Sequence, residues 1–388
     1  MIKPVVDKYQ EQNPGVKIDY QKQTSNQYLQ RLKSKVSEEG GPDIFLFHST
    51  WVPQLTGELS LLPGSVMDKN TYQKTFYKVA ATDLAASGSY VGIPLMYDGL
   101  ELYWNKDVFA AAGIDGPPKT WDDLRTIAAK LTVKDKENKI KTAGVAMGTT
   151  NNVDHFSDIL GLMMLQNGVG DLGNPSGKLA SDTLDFYAAF AKNSESRVWD
   201  DTLPPSTVAF SSGTLAMYFG PSWEAFEIKK ANPSLNFAIA QVPQLPGGNV
   251  TWANYWVEGV SSKSKNQAEA WKFLKFLSEK DQLELLYKTA SRDRLFGEPY
   301  PRQDMASLLE NDPLVGAYIK DAPNSHSWYL ASGTHDGSSG LDDQVIAVYK
   351  QAIDSLGPQG SQGVIAGLPS KLNPVLSKFG LGTVTTKK

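Results

Sequence analysis

Four carboxylates lie beside aromatic residues in turn-rich stretches: Asp98, Glu101, Glu224 and Glu258. Two carboxyl groups about 5 Å apart would make a retaining glycosidase, and a wider pair an inverting one. Spacing along the chain does not supply that separation, so glycan cleavage stays open on the residues alone. A serine-nucleophile route lacks both its Gly-x-Ser-x-Gly elbow and a plausible Ser/His/Asp order. The sequence has no cysteine, which removes disulfides, thiolate ligands and cysteine nucleophiles. Its 4 histidines show no carboxylates at a spacing convincing for zinc. The glycine-rich run at 168–178, GVGDLGNPSGK, ends without the Ser or Thr that would hold magnesium, and no strand feeds it. It reads as a turn region. No metal or cofactor is expected.

Reversible binding is the other reading these residues allow. The 388 residues include 9 Trp and 16 Tyr, whose flat faces match the apolar faces of sugar rings, although most must fill the core. Asp98, in the Tyr97-Asp98-Gly99 turn, offers charge-assisted acceptors for hydroxyl groups. Trp223 follows Gly-Pro-Ser at the end of an apolar run, and packing at a helix start is its alternative role. His48, Ser49 and Trp51 directly follow the run DIFLF at 43–47. Trp252, Tyr255 and Trp256 crowd ahead of the apolar run 257–260. His155 and Phe156 open a helical stretch, Arg294 precedes a proline-rich one, and Trp328 sits in a late loop. The net charge of −4, without a basic block, gives nucleic-acid binding no support.

Positioning these groups requires an α/β scaffold. DIFLF is a continuous apolar strand of the kind covered on both faces, and ligands gather at the carboxyl ends of such strands. The segments 90–95, 100–104 and 16–20 also read as strands, the last by alternation. Helices are expected over 1–12, 27–36, 121–131, 267–277 and 341–356. Thr120 with Asp123 makes a capping box for the third of these. No run of 18 apolar residues occurs. The length suits about two domains, and 382–388 reads as a polar tail.

Three stretches together resemble a known family: YWNKDVFAAAGIDGPPKTWDDL at 103–124, FSSGTLAMYFGPSWEAF at 210–226 and GVSSKSKNQAEAWKFLKFLSEKDQ at 259–282. Their order and spacing are similar to those of the extracellular solute-binding proteins of ABC importers, in the sugar-binding group related to maltose-binding protein. The resemblance implies a periplasmic-binding-protein-like type II α/β fold, with two lobes, a hinge and an interlobe cleft. Residues 1–107 and 257–306 would form the N-terminal lobe, and 108–256 and 307–388 the C-terminal lobe. The chain would cross between them near 105–107 and 256–259. Relative to the family, the first N-terminal strand is missing.

The resemblance further implies an extracytoplasmic receptor, periplasmic or at the cell surface and lipid-anchored in a longer precursor. It would act as a monomer and deliver a sugar or oligosaccharide unchanged to ABC transporter permease subunits. Trp223 is the leading stacking residue, followed by Asp98, Trp256, Trp51, Tyr97, His155, Trp252, Tyr255, His48, Ser49, Trp328 and Arg294. The alternatives are a non-sugar solute such as a polyamine or peptide, or a glycan-active enzyme.

Overall fold

A computed structural model describes residues 2–192 and 197–382. All of the expected polar tail except Gly382 lies outside them. The apolar run after Pro42 forms the strand Ile44–His48, which pairs antiparallel with Trp256–Val260, from Ile44 opposite Val260 to His48 opposite Trp256. Phe45, Phe47 and Val257 are buried, and Ile93 adds a bridge to Glu258. The helices Lys3–Gln12, Gln267–Leu277 and Lys280–Ala290 pack together here. Tyr9 rests its ring 4.9 Å from Phe273 and 5.0 Å from Phe276.

Two strand expectations change in this lobe. The 16–20 segment carries no strand, and Tyr20 is exposed. Alternation makes a strand only where a neighbour offers paired backbone groups. The outer edge of Ile44–His48 is met instead by Tyr28, whose phenol donates to the Leu46 carbonyl at 2.6 Å. The expected 90–95 strand shrinks to Ser89–Tyr90, paired with Ala85–Ala86, and the Ile93 bridge.

The second sheet has five strands, in the order Val133–Lys134, Ile140–Val145, Leu215–Gly220, Glu101–Asn105, Phe237–Ala240. Only Ile140–Val145 and Leu215–Gly220 run parallel. Leu215–Gly220 is central and wholly buried, as a continuous apolar run demands. The helix Trp121–Leu131 packs on this sheet, and Thr120 and Asp123 form the expected capping box.

Because Glu101–Asn105 belongs to this larger sheet, the first crossing falls before Glu101 rather than near 105–107. The crossings lie side by side. Gly99 bridges Ala253, Leu100 N–H donates to the Trp252 carbonyl, and Asn254 N–H donates to the Asp98 carbonyl. Ser325–His326 runs parallel to Thr251–Trp252 and adds a third strand to this ribbon.

Candidate ligand-binding cleft

The turn after Leu215–Gly220 is held from below on every side. Tyr318 donates to the Gly220 carbonyl at 2.8 Å and Tyr103 to the Pro221 carbonyl at 2.7 Å. Asp98 accepts from Gly99 N–H at 2.8 Å, Ser222 N–H at 2.9 Å and Ser222 Oγ–H at 2.8 Å. Burial pushes the Asp98 carboxyl up to about 7, against the pull of these hydrogen bonds. Its two oxygens therefore hold the turn rather than project from it. Trp223, the residue so aimed, is 45% exposed, which is unusual for an indole at the end of a buried strand.

His155 meets Trp223 edge-on, with ring centroids 6.3 Å apart. Its Nε2 lies 3.2 Å from Glu224 Oε1 and its Nδ1 2.6 Å from Ser332 Oγ. Burial lowers the imidazole's pKa, but the Glu224 hydrogen bond and the charges of Asp158 and Glu224 outweigh it, and the net shift is upward. Phe156, beside it, is buried.

On the other lobe, His48, Ser49 and Trp51 stand at the end of Ile44–His48. Trp256 is partly buried, with Trp51 edge-on at 5.1 Å and His48 edge-on at 5.3 Å. Trp51 is fully buried, and neither its indole N–H nor Ser49 Oγ has a hydrogen-bond partner. Burial pulls the His48 ring down to about 4.

Of the remaining candidates, Trp252, Tyr255 and Tyr97 are buried, and Trp328 and Arg294 are half-buried against neighbours. Trp252 is buried and donates to Asp158 Oδ1 at 2.9 Å. Tyr255 donates to Asp83 Oδ2 at 2.9 Å and stacks on buried Tyr97 at 6.3 Å. Trp328 packs between Tyr329 and Tyr349. Arg294 pairs with Glu298 at 2.5 Å and lies over Phe226, whose ring meets Phe296 at 4.4 Å.

Sequence reasoning missed the groups that join the two walls. Asn254 Nδ2 donates to Asp158 Oδ1 and to the Ser332 carbonyl, each at 3.0 Å, while its Oδ1 faces His48 Nε2 at 2.7 Å. Thr50 and Gln54 reach across to Asp342 and Asp336. The one available signal was the polar, glycine-rich run 332–340, which forms this far wall. Beside it lies a cavity of about 400 Å³, lined by Asn26, Gln27, Gln30, His335, Gly337 and Asp343. Gln27 at φ 50° and His335 at φ 54° occupy left-handed backbone there, a conformation that costs a side-chain-bearing residue energy and recurs at binding sites.

The profile of the bacterial extracellular solute-binding protein family matches residues 5–292. The chain belongs to this family. It is similar to a binding protein of Brucella abortus, 26% identical over 289 residues that cover 70% of this chain and 67% of the relative. It is also 26% identical to the maltooligosaccharide ABC transporter solute-binding lipoprotein of Streptococcus pneumoniae, covering 82% of this chain and 74% of the other. The structure of the cyclic alpha-maltosyl-1,6-maltose binding protein from Arthrobacter globiformis matches with a TM-score of 0.76 at 18% identity, across 97% of this chain and 95% of that one. The fold is thus the two-lobed type II periplasmic-binding-protein architecture. Among the described residues no helix is long and apolar enough to cross a membrane.

Proposed function

We propose that this protein captures a sugar or oligosaccharide between its lobes and hands it, unchanged, to the permease subunits of an ABC transporter. The observation that carries the reading is Trp223, an exposed indole face on a turn locked by Asp98, Tyr103 and Tyr318. A rigid aromatic platform loses little conformational entropy when a ring stacks on it. Trp256 faces the cleft from the other lobe. Buried Trp51, Trp252, Tyr97 and Tyr255 support the two walls, and Asp98 acts as a positioning residue. Binding as a monomer, lipid attachment outside the cytoplasm and absence of turnover belong to the same reading, as does a division into two lobes, 1–100 with 257–306 and 101–256 with 307–388, in which the first boundary moves from 107 to 100 because Glu101–Asn105 joins the larger sheet.

The test is thermal unfolding against a panel of mono- and oligosaccharides, followed by calorimetric titration of any hit. Ligand at a hundred times its dissociation constant adds about 2.7 kcal/mol of stability. A glycan response lost in Trp223→Ala supports the proposal; hydrolysis of the glycan during titration would replace it with an enzymatic role.

One observation favours a cationic solute such as a polyamine as a second reading. Glu258, one strand-face step from Trp256, is partly buried, its carboxyl accepts no hydrogen bond among the described residues, and burial pushes that carboxyl up to about 7. An ammonium group beside it would restore its charge. A response to spermidine alone, lost in Glu258→Gln, would select this reading.

A further inference from the structure

We propose that closing the two lobes takes up one proton, held along the Asp342–Thr50–His48 contact at their seam, so that acid favours the closed form. The inference rests on the two-lobed binding cycle proposed above, but its geometry is independent of which ligand binds.

The argument is a count of hydrogens. Asn254 Nδ2 donates to Asp158 Oδ1 and the Ser332 carbonyl, so its Oδ1 is the atom facing His48 Nε2 at 2.7 Å. Nε2 must therefore carry a hydrogen. Neutral His48 then has a bare Nδ1, and that atom lies 2.8 Å from Thr50 Oγ1. Thr50 Oγ1 in turn lies 2.6 Å from Asp342 Oδ2. A hydroxyl has one hydrogen to donate. It can serve the imidazole or the carboxylate, and the other contact would set lone pair against lone pair. Only the Thr50 backbone N–H, at 3.3 Å from Nδ1, relieves this, and that contact is long. One more proton satisfies the chain: Asp342 Oδ2–H donates to Thr50 Oγ1, and Thr50 Oγ1–H donates to His48 Nδ1.

The surroundings agree. Asp342 is fully buried, and beyond Thr50 its carboxyl meets the Thr334 hydroxyl, with Oδ1 in no well-formed hydrogen bond among the described residues, a poor setting for an anion. Asp336, by contrast, accepts from Gln54 Nε2, Asp342 N–H and Asp343 N–H at 2.8, 2.8 and 3.1 Å; burial raises its carboxyl too, but these three donors oppose the rise. The other titratable groups facing Asp342 are Asp343 and Tyr329. No lysine or arginine forms an ion pair with Asp336, Asp342 or Asp343 among the described residues. Burial and the Asp336 charge hold the Asp342 carboxyl well above its usual range.

Once the lobes part, Asp342 and His48 meet water and Asp342 returns toward the ordinary carboxylate range of about 4. Between that value and its closed-state pKa, the closed-to-open ratio falls about tenfold per pH unit. The absence of native cysteine allows two labels to be placed cleanly, one on Lys33→Cys and one on Lys371→Cys. The interlobe distance is then read by energy transfer from pH 5 to pH 8 without any ligand. The expected result is a closed population that declines with pH, a slope removed in Asp342→Asn, and an open form at every pH in Thr50→Val. Asn at 342 offers its amide N–H to Thr50 in place of the protonated carboxyl and cannot ionise, so its folding is protected; the unfolding temperature of each variant is measured alongside. An unchanged slope in Asp342→Asn, or no slope in the parent protein, overturns the proposal. Because no sugar is used, a failed glycan panel and a failed proton linkage are told apart.

Discussion

At the scale of single residues, exposure separates the side chains that can meet a ligand from those that hold them. Trp223→Ala removes an indole that is 45% exposed, so its stability cost stays within about 0.5 kcal/mol. Its effect on glycan affinity is expected to be tenfold or more, as for stacking anchors generally, measured by calorimetric titration. Asp98 behaves oppositely. Its folded pKa of about 7 lies above the ordinary carboxylate value, so its contribution to stability is fully present below about pH 4 and is lost as pH rises through 7. The unfolding free energy from urea titration should therefore fall over this window, by up to about 1.4 kcal/mol per pH unit, and Asp98→Asn should flatten that fall. The sequence made Trp223 and Asp98 legible together, because Gly-Pro-Ser-Trp and Tyr-Asp-Gly are local turn signals. It did not reveal that Asp98 spends its oxygens on Ser222, since those two residues meet only through the fold.

At the scale of elements, local patterns proved readable where local chemistry decides them. The Thr120/Asp123 cap and the buried strand Leu215–Gly220 follow from neighbours in sequence. The 16–20 segment shows the converse: alternation alone cannot make a strand without an adjacent edge to pair with. The helix Phe156–Gln166 illustrates a constraint set by a distant partner. A Cβ on Gly161 would stand 2.5 Å from Trp252 Cη2, and that indole is fixed by its hydrogen bond to Asp158. Gly161→Ala should therefore destabilise the protein by about 1–3 kcal/mol, through overpacking rather than helix propensity, which favours alanine. Chemical denaturation would show it, and an unchanged or raised midpoint would mean that Trp252 can move aside.

At the scale of the whole molecule, the family resemblance made two lobes legible while the seam between them stayed hidden. The residues that join it, Thr50 to Asp342 and Gln54 to Asp336, are about 290 positions apart, and no periodicity links such pairs. The two crossings and the Ser325–His326 strand beside them are hydrogen-bonded to one another, so loss of one lobe disrupts the backbone that enters the other. Calorimetry of the ligand-free protein should accordingly show one unfolding transition, with the van't Hoff enthalpy matching the calorimetric one. Two resolved peaks would show that the lobes melt independently.

The pairing of Ile44–His48 with Trp256–Val260 also orders events in time. The smaller sheet's second strand arrives roughly 200 residues after its first, so closing that pairing must wait until the larger sheet's strands have all been synthesised. A chain emerging from the ribosome therefore carries its N-terminal lobe incomplete for most of its synthesis. That delay keeps the leading segment of the chain pliable until the larger sheet is complete.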